Sequence, residues 1–313
     1  MAECVLITGG AGFIGSKVAA AHAAAGDEVH VIVRPRGLIR SSRMAANVIV
    51  AHLHLDDVET LSTYVEQARP TIIYHLASDT GRGTGGLNPL DSQIVIGDLR
   101  NFLTLLKAAR AATPRILVRA GSLAEYGNGV TPSRESQREQ PLSAYTAAMV
   151  AGAHVARALQ PTLPFAVLTA RLALTYGEGQ SDAFLIPRLI QRCLAGEPCD
   201  VEHPSRRRDL IHVDDVVDGL RALARSDLPG GSIVNLCSGI APTMENVARR
   251  IAALADADPA LIRYGDDAES ETGITTVLGS PDLASALMGW SARIALDEGL
   301  ARTVASARQP VYA

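Results

Sequence analysis

Short apolar runs alternate with longer stretches of helical periodicity along nearly the whole chain. Residues 4–7 read as a buried strand. A glycine-rich turn follows, then an alanine-rich helix over about 16–25 that Gly26 stops. Strand patterns recur at 28–33, 48–50, 71–77, 115–120, 165–171 and 233–236. Helical patterns fill 57–68, 93–112, 143–159, 183–195, 244–255 and a tail segment near 296–306, with Pro187 interrupting the fourth. The stretch 93–112 is apolar all round, which predicts burial on more than one side. Alternation of this kind predicts an α/β fold: a doubly wound parallel sheet covered on both faces, with a smaller C-terminal α/β lobe beyond about residue 172, where the pattern turns irregular. The expected division is a sheet-bearing domain over 1–172, rejoined by about 209–238, and a smaller lobe from 173–208 and 239–313.

Composition changes this picture little. The 313 residues are 47% hydrophobic and 20% charged, ordinary for a globular protein. A net charge of −4 gives no reason to expect nucleic acid or an anionic membrane as partner. No apolar run is long enough to span a bilayer, and the first residues lack a basic, signal-like start. Cys4, Cys193, Cys199 and Cys237 show no metal-ligand spacing, so they read as packing thiols of a cytoplasmic protein, and no metal is expected.

The chemistry begins in the first turn. Gly10, Gly12 and Gly15 stand between a strand and a helix, the setting in which glycines let a backbone approach a pyrophosphate. Residues Thr8, Gly9, Gly10, Gly12, Phe13, Ile14 and Gly15 are therefore the expected cofactor turn, with helix N–H groups facing phosphate. At the end of the second strand stands Arg34-Pro35-Arg36, with no carboxylate between Val29 and Arg43. Arg34 and Arg36 suit the 2′-phosphate of NADP, so NADPH is expected ahead of NAD; the alternative is a solvated basic loop. Leu76, Ala77 and Ser78, at the end of the fourth strand, fall on the ligand side of such a sheet, whereas His75 reads as a packed strand residue. The glycines of 81–86 read as a mobile loop on the same edge. His212, Asp214 and Asp215 read as the capped head of a helix in preference to a metal site.

Thr8-Gly9-Gly10-Ala11-Gly12-Phe13-Ile14-Gly15, Tyr74-His75-Leu76-Ala77, Ser122 before Tyr126-Gly127, Tyr145, Arg208-Asp209-Leu210-Ile211-His212-Val213-Asp214-Asp215, Asn235-Leu236-Cys237-Ser238-Gly239 and Leu287-Met288-Gly289-Trp290 together resemble the extended short-chain dehydrogenase/reductases of the nucleotide-sugar branch. The resemblance implies a Rossmann fold, a nucleoside-diphosphate sugar substrate and catalysis by Tyr145 with Ser122. It places Ser78, Ser122, Leu123 and Arg208 against the substrate, Arg208 on its phosphate, and pairs two copies through the helices near 93–112 and 143–159 as a homodimer. Leu123 and Ala124 stand where the related dehydratases carry Asp and Glu, which argues against dehydration. Ile94 and Leu174 replace two asparagines that are usual in the family.

One departure bears on direction. The family motif is Tyr-x-x-x-Lys, and position 149 is methionine. Without an ammonium one turn along, Tyr145 is expected to stay near the ordinary phenol value of ~10 and to serve as a proton donor. The expected activity is therefore NADPH-dependent reduction of a keto group, at C4 of a nucleotide-linked deoxysugar. The alternatives are an epimerase that retains NAD, and a non-catalytic nucleotide-binding member of the family.

Overall fold

The computed structural model describes residues 2–35, 47–78, 92–266 and 273–309. In chain order the strands are β1 (Cys4–Thr8), β2 (Glu28–Val33), β3 (Val48–His52), β4 (Ile72–His75), β5 (Ile116–Ser122), β6 (Ala166–Leu172), β7 (Leu174–Tyr176), β8 (Cys199–Val201), β9 (Arg207–Arg208), β10 (Leu210–His212), β11 (Ile233–Leu236), β12 (Ile262–Tyr264) and β13 (Thr276–Val277). The helices are α1 (Phe13–Ala24), α2 (Val58–Ala68), α3 (Ser92–Ala112), α4 (Ala144–Leu159), α5 (Leu185–Ala195), α6 (Val213–Arg225), α7 (Met244–Ala255), α8 (Asp282–Met288) and α9 (Leu296–Arg308).

Seven strands form one sheet in the order β11-β6-β5-β4-β1-β2-β3. The pairings of β1 with β2 and β4, of β2 with β3 and of β4 with β5 are parallel. This is the doubly wound Rossmann arrangement that the alternating pattern predicts. Its order reverses between β1 and β4, where Thr8 lies opposite His75. Ligands of such sheets bind beyond the carboxyl ends of the strands at this reversal.

The chain divides into two compact units: Met1–Glu125, Pro141–Arg171 and Val217–Val234 in one, and Tyr126–Gln140, Leu172–Val216 and Asn235–Ala313 in the other. The expected division differs from this in placing 126–140, 172, 209–216 and 235–238 with the first. In the first unit, Leu6, Ile32, Leu61, Phe102, Leu105, Leu117 and Val167 belong to one core cluster. In the second, Leu189, Ile190, Val247, Ile251 and Leu300 do the same between α5, α7 and α9.

Local chemistry explains several of the element ends. Asp57 caps α2, its carboxylate accepting from the Thr60 N–H at 3.1 Å. Ser143 and Thr146 form a reciprocal capping box at the start of α4. Pro187 does not interrupt α5: the helix begins at Leu185, and a proline in the first turn removes an N–H that has no intrahelical acceptor. α3 is buried over a broad arc, with one face left open. Phe102, Leu105 and Ala109 are buried, but Ile96 and Leu103, two turns apart on one face, are 46% and 41% exposed. Among the described residues no helix is long and apolar enough to cross a membrane.

Candidate active site

The glycine turn has the expected place, and the structure divides the work among its glycines. Gly9, not Gly10, adopts the left-handed conformation, at φ +73°. A Cβ on Gly9 would lie 2.7 Å from the Ala77 nitrogen, so Gly9 brings the turn against the end of β4. A Cβ on Gly15 would fall 2.3 Å from the Gly9 carbonyl oxygen, so α1 packs directly on the turn. Gly10 faces Val31 of β2. Gly12 caps α1 in extended conformation, is exposed, and would meet only the Gly9 oxygen, at 3.0 Å. The first-turn N–H groups of Phe13 and Ile14 have no intrahelical acceptor, as at any helix start. This cradle, closed by glycines on the protein side and open at a helix N-terminus, fits a dinucleotide pyrophosphate. Gly9→Ala adds a left-handed penalty of about 1–2 kcal/mol to a backbone collision. We expect the variant to melt lower than the parent and to lose retained dinucleotide, read by calorimetry and by cofactor release.

Beside the turn, Thr8 Oγ1 and His75 Nδ1 are hydrogen-bonded at 2.8 Å, both buried. His75 stacks on the Phe102 ring at 5.5 Å. Burial, and then the Arg119 guanidinium, push His75 down to about 3, so the imidazole is neutral and structural, as its strand position predicts. Leu76 and Ala77 continue from β4 next to Gly9, and exposed Ser78 donates to Asp98 of α3 at 2.6 Å. Arg34 is exposed at the end of β2. Arg36 and the glycines of 81–86 lie outside the described residues.

Ser122 ends β5. Its hydroxyl oxygen accepts from the Ala124 N–H at 3.2 Å, which leaves its own proton to donate. Its backbone N–H donates to Glu125 Oε1 at 2.8 Å, and Glu125 Oε2 accepts from Arg171 Nε at 2.8 Å. Both side chains of this ion pair are fully buried. Neither Glu125 nor Arg171 stands out in the sequence reading, although charged residues inside an apolar strand and its following turn are a signal. Leu123, expected at the substrate, has a buried side chain.

Tyr145 lies in the first turn of α4, half-buried. Met149, one turn along, is buried. Its carbonyl accepts from Arg119 Nη1 of β5 at 3.2 Å. Arg119 is 3% exposed and sits over the Phe102 ring at 5.2 Å. Burial draws its pKa below the ordinary arginine value, and Glu125, Asp98 and Tyr145 oppose that shift. The sequence reading does not anticipate this cation.

In the second unit, Arg208 is held by backbone. Nη1 donates to the carbonyls of Arg207 at 2.8 Å and Thr275 at 3.0 Å, and Nη2 to Ile274 at 2.8 Å. Burial, then the charge of Arg206, lower its pKa to about 10. Those N–H groups fix the 274–275 segment, which leaves fewer for the phosphate contact that the sequence reading expects. Asp209 accepts from the N–H groups of Ser238, Gly239 and Gly279 and from the Ser238 hydroxyl, and so ties two sequence signatures together. Asp214 and Asp215 lie in the first turn of α6, but the Asp215 carboxylate accepts from the N–H groups of Arg293 and Ile294, not from its own helix. Glu178, His212 and Asp214 bring ligand atoms within 4.8 Å of one another. The one imidazole, however, faces Glu178 with Nε2 at 3.4 Å and Asp214 with Nδ1 at 3.7 Å. Two carboxylates on opposite ring edges do not close on one ion.

A seven-stranded parallel sheet, a glycine turn at its reversal point, and a Ser at the end of β5 with a Tyr at the start of α4 define an extended short-chain dehydrogenase/reductase. Residues 5–237 match the NAD dependent epimerase/dehydratase family, and the chain belongs to it. It is similar to UDP-glucuronate 4-epimerase 3 of Arabidopsis thaliana, 30% identical over 244 residues, or 73% of this chain and 56% of the relative. The chain spans about half the length of the plant relatives it matches. It is also similar to the dTDP-L-rhamnose 4-epimerase of Burkholderia thailandensis, 27% identical, with 95% of this chain and 92% of the relative aligned. Among solved structures, the UDP-glucose 4-epimerase of Thermus thermophilus, crystallised as a complex with NAD, superimposes with a TM-score of 0.87. It is 25% identical, and the match covers 98% of this chain and 99% of that one.

Proposed function

We propose that this chain is a nucleotide-sugar 4-epimerase that keeps a nicotinamide dinucleotide bound through its cycle. The observation that carries this reading over net reduction is that a relative matched over nearly its whole length, the Burkholderia protein, is a 4-epimerase. The substrate is a nucleoside-diphosphate hexose of the UDP or dTDP series. A bound nicotinamide supplies the site that takes a hydride from C4 and gives it back. The turn at Gly9, Gly12 and Gly15 holds the pyrophosphate of that cofactor, and Leu76 and Ala77 line its path across the sheet. Tyr145 removes the proton of the C4 hydroxyl and returns it after the sugar has turned. The Ser122 hydroxyl donates to the same oxygen throughout, on a turn that the Glu125–Arg171 pair fixes in place. The exposed face of α3 at Ile96 and Leu103 is the surface on which a second copy would pair.

NADPH-dependent ketoreduction is the second reading, and Arg34 favours it: an exposed guanidinium ends β2 where NAD-binding folds carry a carboxylate. Denaturing the purified protein and separating the released nucleotides tests both. The epimerase reading predicts close to one NAD per chain, and a C4 epimer in the product when UDP-glucose, UDP-glucuronate or dTDP-rhamnose is supplied without added cofactor. Protein that carries no nucleotide and turns over a 4-keto sugar only with added NADPH overturns it.

A further inference from the structure

The sequence argues against an oxidative half-reaction because no lysine follows Tyr145 by one helical turn. The structure brings a cation against the same helix from another element. Residues 145, 149 and 152 lie on one face of α4, spaced by four and then three. The Arg119 guanidinium lies against that face: Nη1 donates to the Met149 carbonyl at 3.2 Å, and a Cβ on Gly152 would come within 2.5 Å of Nη2. Gly152 thus leaves the room that the guanidinium fills. Phe102 of α3 supports it from the other side at 5.2 Å, and among the described residues the Arg119 Nε has no hydrogen-bond partner. An arginine this deeply buried in an otherwise apolar strand needs a counter-charge.

Two carboxylates act on the Arg119 guanidinium ahead of Tyr145: Glu125 first, then Asp98. Glu125, following β5, is paired with Arg171 of β6. Asp98 of α3 accepts from Ser78. His75 of β4, beside Arg119 in register, is neutral. Tyr145 interacts with Arg119, its negative form favouring the guanidinium. The same interaction read from the other partner favours the phenolate.

We propose that Arg119 of β5 is a positioning residue that replaces the missing lysine, its buried guanidinium beneath Met149 stabilising the phenolate of Tyr145. The inference rests on the reading of Tyr145 as the group that exchanges a proton with the sugar. It removes the objection to epimerisation that Met149 raises: Tyr145 can take a proton as well as give one. It also separates two roles that one lysine fills in the family. The phenol is tuned from the sheet, and position 149, with a thioether, contributes no donor to the nicotinamide ribose.

The test is a spectrophotometric titration of phenolate absorbance in the purified protein, with the Tyr145→Phe titration subtracted, so that only Tyr145 is read. It needs neither substrate nor turnover. In the parent protein Tyr145 should ionise at lower pH than in any variant that lacks a cation at 119 and 149. Arg119→Gln should raise that midpoint by about one unit or more, and Arg119→Lys should keep most of the parent value. Adding Met149→Lys to Arg119→Gln should bring it down again. An identical midpoint in parent and Arg119→Gln overturns the proposal.

Where Arg119→Gln does not fold, Arg119→Lys, which keeps the charge, and Arg119→Met, which keeps most of the volume without it, decide: the midpoint should be at least about one unit higher in Arg119→Met than in Arg119→Lys, and equal midpoints overturn the proposal. A Tyr145 midpoint that depends on Arg119, in a protein that epimerises none of the sugars tried, would sink the epimerase reading and leave this inference standing.

Discussion

Glu125→Ala should destabilise the protein by about 3–5 kcal/mol, the range for removing one partner of a buried ion pair. The expected readout is a urea midpoint displaced to lower concentration with little change in slope. The size of the effect follows from what is left behind. Arg171 and Glu125 have no exposed side-chain surface, and their Nε and Oε2 are 2.8 Å apart. Truncating the acid leaves a guanidinium in the interior of β6 with no water to replace the carboxylate. The second oxygen matters as well, because it accepts from the Ser122 N–H at 2.8 Å and leaves that donor unsatisfied when removed. Gly121 is part of the same arrangement: a Cβ there would stand 2.5 Å from Oε1, so the turn admits Glu125 only because residue 121 has no side chain. Glu125→Gln separates the terms, since it preserves an acceptor for Ser122 and removes the charge. Replacing both partners with methionine should recover much of the loss, because a buried pair has little advantage over apolar packing of similar volume. A Glu125→Ala protein as stable as the parent would contradict the assignment of this pair as a structural support of the Ser122 turn.

Tyr145→Phe should lower turnover by a factor of about 10²–10⁴, the usual contribution of a positioned acid–base group. The change deletes one oxygen from a half-buried residue in the first turn of α4 and leaves the Ser143–Thr146 capping box intact. The melting temperature and the amount of nucleotide retained should therefore stay close to the parent values. The loss should fall on kcat, with KM little changed, because the proton moves in the transition state and not on binding. Unaltered turnover in this variant would remove Tyr145 from the chemistry and direct attention to another hydroxyl.

The parts of the molecule legible in the sequence are those whose signals are local. A strand, a glycine turn and an alanine-rich helix follow one another within the first 25 residues, and period and punctuation suffice to place them. Even there the sequence could not tell which glycine takes positive φ. Gly9 does so because the turn must close on the backbone of Ala77, and a contact with β4 leaves no mark within the motif. The same limit explains the exposed side of α3. An apolar stripe reads alike whether a core or a second protein covers it.

The site shows the limit most clearly. Reading Tyr145 and Met149 along one helix leads to a phenol without a cation, and the inference was sound for that helix. Arg119 reaches the same face from a strand, across a separation in sequence that no spacing rule spans. A signal was nevertheless present: Ile116, Leu117 and Val118 are followed by a guanidinium in a strand flanked by β4 and β6, where an unaccompanied charge is too costly to be incidental. Glu125 and Arg171 carry the same signal in pair form.

Gly152 has an evolutionary consequence. Its missing methyl and the Arg119 guanidinium claim the same few cubic ångströms, so neither position can drift by itself while the arginine stays. In a lineage descended from this chain, a lysine at 149 would release residue 119 to an apolar side chain, and only then would residue 152 be free to grow. The three positions should be inherited as a block, so that ancestors and descendants carry one combination or the other, with few intermediates between them.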